Sequence, residues 1–147
     1  MAAVVLTAVL GALATNPQSA WYLELVKPSW QPPGWLFGPV WTLLYALIAT
    51  SAVIVWHATE GNARRELMLL FAVNLMLNLA WSALFFRAQS PLGGGVEIIL
   101  LLGSIAHLGW RCSSLSPVAA WLLAPYFAWV AFATILNWTI AILNWEK

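Results

Sequence analysis

Between Val118 and Leu143 the chain carries no aspartate, glutamate, lysine, arginine or histidine, and comparable apolar stretches recur along its length. A helix that crosses hydrocarbon needs about 20 mainly apolar residues, so these runs constrain the fold more than any other feature. Over the whole chain 63% of residues are hydrophobic and 7% charged, against about 25% charged in an average soluble domain. The expectation is a multi-pass integral membrane protein: an all-α integral membrane bundle of five transmembrane helices, forming a single transmembrane domain over residues 1–147. A formal net charge of +1 offers no basic patch for nucleic acid. The lone Cys112 excludes an internal disulfide, and beside two scattered histidines it gives no metal-ligand spacing.

The spans are predicted at about residues 2–20, 37–56, 66–86, 92–110 and 118–143. The apolar start lacks a basic n-region, and the A-x-A-like trio Gly11 to Leu13 lies inside the apolar run, so a retained helix is expected rather than a cleaved signal. Taken strictly this first span ends at Thr15, and it reaches residue 20 only if Pro17 merely kinks it. Residues 21–36 contain Pro28, Pro32 and Pro33. Prolines cannot donate backbone hydrogen bonds and push the preceding residue out of the helical region, which predicts an ordered, non-helical connection. Polar stretches at His57 to Arg65, Arg87 to Pro91 and Arg111 to Pro117 separate the later spans. The loop lysines and arginines divide three against three between the two sides, which sets no orientation.

Polar side chains inside such spans are expensive and therefore informative. In the third span Asn74, Asn78 and Ser82 recur every four residues, with Trp81 and Phe85 on the same helical stripe. The second span offers Trp41, Tyr45, Ile48 and Ala52 on one face, and the fifth offers Trp129, Ala133, Asn137 and Ile140 with Tyr126 at the edge. Two readings compete: interhelical glue, since amides hydrogen-bond across packed membrane helices, or a wall for a flat apolar ligand with a few polar atoms. Trp21, Trp56, Trp110 and Trp145 lie near predicted helix ends and fit the interfacial aromatic belt. Trp41, Trp81 and Trp129 lie deeper, where an indole N–H needs a partner inside the protein.

Glu97 stands about a turn and a half into the fourth span, where a charge would cost about 2.5–3.5 kcal/mol at the bilayer centre. It is expected to face protein or water, or to hold a proton. His107 is about 15 Å further along the axis, so the two form no relay, and structural roles are expected for both. The sequence offers no nucleophile–base set, phosphate loop or metal cluster.

The run Trp21-Tyr22, Lys27-Pro28-Ser29-Trp30, Pro32-Pro33, Trp35, Trp41 and Leu44-Tyr45 resembles the signature of the translocator protein family, the tryptophan-rich sensory proteins (TspO/MBR). Asn78-Leu79-Ala80-Trp81 with Phe85-Phe86 is similar to it as well. So is Trp121-Leu122-Leu123-Ala124-Pro125-Tyr126 with Trp129, Phe132-Ala133 and Leu136-Asn137. The likeness runs in order over nearly all of the chain beyond the first span. It implies a five-helix bundle in lipid, commonly a homodimer, whose hydrophobic pocket is covered by the connection 21–36 as a lid. It further implies porphyrin ligands such as protoporphyrin IX, and in some members cholesterol or synthetic drug-like molecules. No cofactor is required, the porphyrin being the ligand.

The ligand-binding residues implied by the resemblance are Tyr22, Pro32, Trp41, Tyr45, Asn78, Trp81, Trp129, Ala133 and Asn137; Asn74 is added on the stripe argument. Trp41 and Trp129 are also candidate photoactive residues for a light-dependent breakdown of porphyrin, and no other catalytic residue is assigned. Trp138 replaces the tyrosine of the animal cholesterol motif, which argues against sterol transport. The expected function is a tetrapyrrole-binding membrane protein acting as sensor, carrier or regulator. Light-dependent degradation and a structural or partner-binding role are the alternatives.

Overall fold

The computed structural model describes residues 4, 7, 9–11 and 15–145, and within them every regular element is helical. Residues 2, 3, 5, 6, 8 and 12–14 of the predicted first span fall outside these residues. Its described residues 4, 7 and 9–11 are helical, and the Thr15 N–H donates to the Gly11 carbonyl. The expected extension to residue 20 is not found: residues 15–19 are turn and bend, with the Ser19 N–H bonded to Asn16 around Pro17. Proline has no N–H to carry the helical ladder onward.

A short helix α1, Ala20–Glu24, follows, capped by the Ser19 hydroxyl. The connection 21–36 is therefore not wholly non-helical, because the cap and five proline-free residues precede the first proline of the segment. Beyond a 3-10 turn at Gly34–Leu36 come the long helices α2 (Phe37–Ala58), α3 (Gly61–Ser82), α4 (Pro91–Ser113) and α5 (Pro117–Leu143). Among the described residues these four are long and apolar enough to cross a membrane. The outcome is an all-α membrane bundle.

Local chemistry explains the boundaries. Ser90 and Ser116 accept hydrogen bonds from the N–H groups of Gly93 and Ala119, and Pro91 and Pro117 fill the first turn, where a missing N–H costs nothing. α5 continues through Pro125. The polar stretch 57–65 is shorter as a loop than predicted, for α3 starts at Gly61 and only Thr59 and Glu60 lie between helices. Gly61 adopts a φ of +55°, a left-handed conformation that glycine takes without strain, so the chain reverses within two residues. The Arg64 Nε donates to the Thr59 carbonyl at 2.7 Å, occupying a backbone acceptor at the turn.

α3 also ends earlier than predicted and passes into a π-helical turn, Ala83–Arg87, closed by the Ala88 N–H on the Ala83 carbonyl. The wider turn rotates Phe85 and Phe86 so that both rings meet Trp81, at centroid distances of 5.4 and 6.0 Å. Such turns recur at functional sites.

In α4 Ile98, Leu101, Ile105, Leu108 and Cys112 are buried at helical spacing, while Val96, Ile99 and Leu100 face outward. Lipid is as apolar as leucine, so these helices associate through close packing and hydrogen bonds rather than through release of water. Gly94 and Gly95 permit that packing. A Cβ on Gly94 would lie 3.0 Å from the Asn137 Oδ1 and 3.2 Å from the Phe85 ring, and one on Gly95 would lie 3.1 Å from the Trp138 ring. Asn137 and Phe85 are buried and cannot yield. Gly94→Val should therefore lower stability by about 1–3 kcal/mol, read as a drop in thermal midpoint in detergent; an unchanged midpoint would show that α4 and α5 are free to separate there.

Candidate functional site

The three stripes converge. The Tyr45 hydroxyl on α2 donates to the Asn78 Oδ1 on α3 at 2.7 Å, and the Asn78 Nδ2 donates to the Tyr126 hydroxyl on α5 at 3.2 Å. One amide thereby joins three helices. One helical turn along α3, the Trp81 Nε1 donates to the Asn137 Oδ1 at 3.0 Å, and the Asn137 Nδ2 donates to the Pro91 carbonyl at the start of α4 at 2.7 Å. The amides of Asn78 and Asn137 are thus satisfied within the protein, as the glue reading requires.

Asn74 differs from Asn78 and Asn137 in its bonding. It is fully buried but turns toward α4, where its Nδ2 donates to Ser104 at 2.7 Å, and its Oδ1 meets no donor among the described residues. Glu97 faces protein too, 6% exposed, with neither carboxyl oxygen hydrogen-bonded among those residues.

The aromatic candidates form a continuous ring cluster. Trp41 lies 5.6 Å from Tyr45 and 6.2 Å from Tyr126. Trp129 packs against Phe37 at 5.7 Å and Phe132 at 5.6 Å, and Ala133 is half-buried against the same core. Unlike Trp81, the indole N–H groups of Trp41 and Trp129 donate no hydrogen bond among the described residues. That departs from the expectation that all three deep indoles find partners within the chain.

Over this centre lies the connection 21–36. Trp30 meets Phe132 at 5.9 Å, and Tyr22 meets Phe86 at 5.4 Å and Phe85 at 6.4 Å. The Gln31 amide donates to the Tyr22 hydroxyl at 3.3 Å, while Pro32 is half-buried. Burial raises the Tyr22 hydroxyl above its ordinary pKa, and the Gln31 bond partly offsets this. Burial lowers Lys27, whose ammonium nonetheless sits over the Tyr22 ring at 4.5 Å and bonds the Tyr22 carbonyl. Trp35 is 73% exposed and covers nothing.

The four tryptophans assigned to the interfacial belt divide. Trp110 and Trp145 are exposed, and Trp56 lies under the Arg64 guanidinium at 4.6 Å. Trp21 instead turns inward onto Phe85 at 5.8 Å. The two best-formed cavities among the described residues lie away from the ring cluster: about 270 Å³ beside Pro91 and Trp145, and about 200 Å³ between α4 and α5 at Gly109 and Ala124. The connection 21–36 covers the aromatic centre through the ring contacts of Tyr22 and Trp30.

A family model described as the TspO/MBR family matches residues 1–143. The chain belongs to the TspO/MBR family. It is 48% identical to the tryptophan-rich protein TspO of Chlorobaculum tepidum over 133 residues, covering 88% of this chain and 82% of the relative. It is 40% identical to the tryptophan-rich protein TspO of Bacillus cereus, covering 84% and 80%. To the human translocator protein it is 38% identical, covering 82% and 72%. The resemblance read from the tryptophan and proline motifs is borne out, and this family member is an integral, multi-pass membrane protein.

Sequence reasoning missed Phe37, Phe132 and Gln31. Phe132 was within reach, since it lies three residues beyond Trp129 and so on the same face. Gln31 had no signal, because its role depends on how the connection folds back on Tyr22. Asn137→Leu should cost about 2–4 kcal/mol, since it strands both the Trp81 indole and the Pro91 carbonyl, whereas Tyr45→Phe should cost about 1 kcal/mol. Unfolding in mixed micelles would rank them, and equal losses would contradict the bonding pattern.

Proposed function

We propose that this chain binds a tetrapyrrole of the protoporphyrin IX type in the aromatic centre beneath the connection 21–36. In this reading it acts as sensor, carrier or regulator, as a bundle of five spans that pairs as a homodimer in lipid. The observation that carries the reading is the pair Trp41 and Trp129: two half-buried indoles whose rings belong to the cluster but whose N–H groups donate to no described residue. A flat macrocycle offers π-faces for these rings, and its carboxylates or ring nitrogens offer the acceptors they lack. Drug-like aromatic molecules or a sterol match the same apolar surfaces less completely. Tyr22, Pro32, Tyr45, Asn78, Trp81, Ala133 and Asn137 frame the centre, with Asn74 behind them.

One observation favours light-dependent breakdown of the porphyrin as a second reading. Trp41 is in ring contact with Tyr45 and Tyr126, whose hydroxyls share the Asn78 amide. In this reading the excited porphyrin takes an electron from the Trp41 indole and passes it to dioxygen; the superoxide formed oxidises the macrocycle, and the hole left on the indole is shared with these phenols.

A visible absorption time course with protoporphyrin IX, first dark and then illuminated beside a protein-free control, tests both. A dark spectral shift is expected, and replacing Trp41 and Trp129 together by leucine should weaken binding at least about tenfold. Unaltered affinity would place the ligand elsewhere. A bound band that decays into a new chromophore faster than the control supports degradation, and a persistent band supports a carrier. No uptake in detergent or lipid would leave the rings a purely structural role.

A further inference from the structure

Asn144 sits just beyond α5 and reaches the backbone of a residue far away in sequence. Its Oδ1 accepts from the Val26 N–H at 3.0 Å, and its Nδ2 donates to the Val26 carbonyl at 2.9 Å and to the Ile140 carbonyl at 2.8 Å. The amide thus pairs with both backbone polar groups of one residue, as a neighbouring strand would, while its remaining bond anchors it to the last turn of α5.

Val26 belongs to a segment that is bonded to itself. The Lys27 ammonium holds the carbonyls of Tyr22 and Leu25, the Gln31 N–H closes a turn on the Pro28 carbonyl, and the Gln31 side chain returns to the Tyr22 hydroxyl. Residues 20–31 are therefore tied into one body. Among the contacts of that body with the bundle are ring faces at Phe85, Phe86 and Phe132. Ring contacts tolerate sliding; a two-point bond to a single peptide residue does not. Both Val26 bonds are exposed to solvent, where water competes and each changes an equilibrium by about tenfold or less. Such a tie keeps a lid shut most of the time and still lets it open.

We infer that Asn144 is a positioning residue that latches the connection 21–36 over the aromatic centre and so sets how fast ligand enters and leaves. The identity of the ligand rests on the tetrapyrrole reading; the latch does not. Because the Val26 bonds engage no group of the aromatic centre itself, losing them should speed entry and exit alike and leave affinity nearly unchanged.

The test uses the full chain in detergent, comparing wild type with Asn144→Ala and with Asn144→Asp, which keeps an acceptor for the Val26 N–H but loses both donated bonds. Amide hydrogen exchange over residues 20–31 should quicken about tenfold in Asn144→Ala and less in Asn144→Asp. Stopped-flow association and dissociation of protoporphyrin IX should rise together by a similar factor. Exchange at the wild-type rate would overturn the proposal, as would faster exchange confined to the last turn of α5, which would make Asn144 only a helix cap. Faster exchange with unchanged porphyrin rates would also overturn it. If wild type takes up no protoporphyrin, the tetrapyrrole reading falls, and exchange over residues 20–31 still decides whether Asn144 is a latch.

Discussion

An amide inside hydrocarbon has no water to turn to, and the arrangement of this bundle depends on that fact. Asn78 holds Tyr45 and Tyr126 together from its place on α3, and Asn137 holds Trp81 and the start of α4 from its place on α5. Because water release does not drive helices together within lipid, these bonds and the glycine contact at Gly94 and Gly95 set which faces meet. The outward leucines, valines and tryptophans that would signal trouble in a soluble protein are in keeping with helices long and apolar enough to cross a membrane.

On the proposed tetrapyrrole reading, the same bonds shape what is left for a ligand. With the central amides satisfied by neighbours, the groups that remain available are ring faces and the indole N–H groups of Trp41 and Trp129. Recognition in such a centre depends on shape and stacking, with few directional contacts. On the same reading a ligand reaches the rings when the connection 21–36 moves, which places kinetic control at its attachments.

Much of the bundle was legible in the chain. The apolar runs placed the long helices, and the four-residue recurrence of Asn74, Asn78 and Ser82 found the buried face of α3, where all three are indeed covered. The aromatic motifs identified the family. Less legible were the details that depend on turn chemistry. Gly61 allowed a two-residue reversal where a longer polar loop was expected, and the π turn at Ala83–Arg87 brought in two phenylalanines where a regular helix would present one. Trp21, assigned to the interface by its position near a span end, turned inward because α1 lays it on Phe85.

Sequence by itself determined the solvent this protein lives in, its helical class, the buried stripe of α3 and the family, since these follow from composition, period and local motif. Tertiary structure alone decided which amide meets which partner. Asn74, Asn78 and Asn137 look equivalent in the chain, yet Asn74 serves α4, Asn78 joins three helices and Asn137 fastens an indole to a helix start. It also decided that Asn144, unremarked in the sequence, grips Val26 across 118 residues. A hydrogen bond needs donor and acceptor within about 3 Å, and no period along a chain encodes which distant groups packing will bring that close.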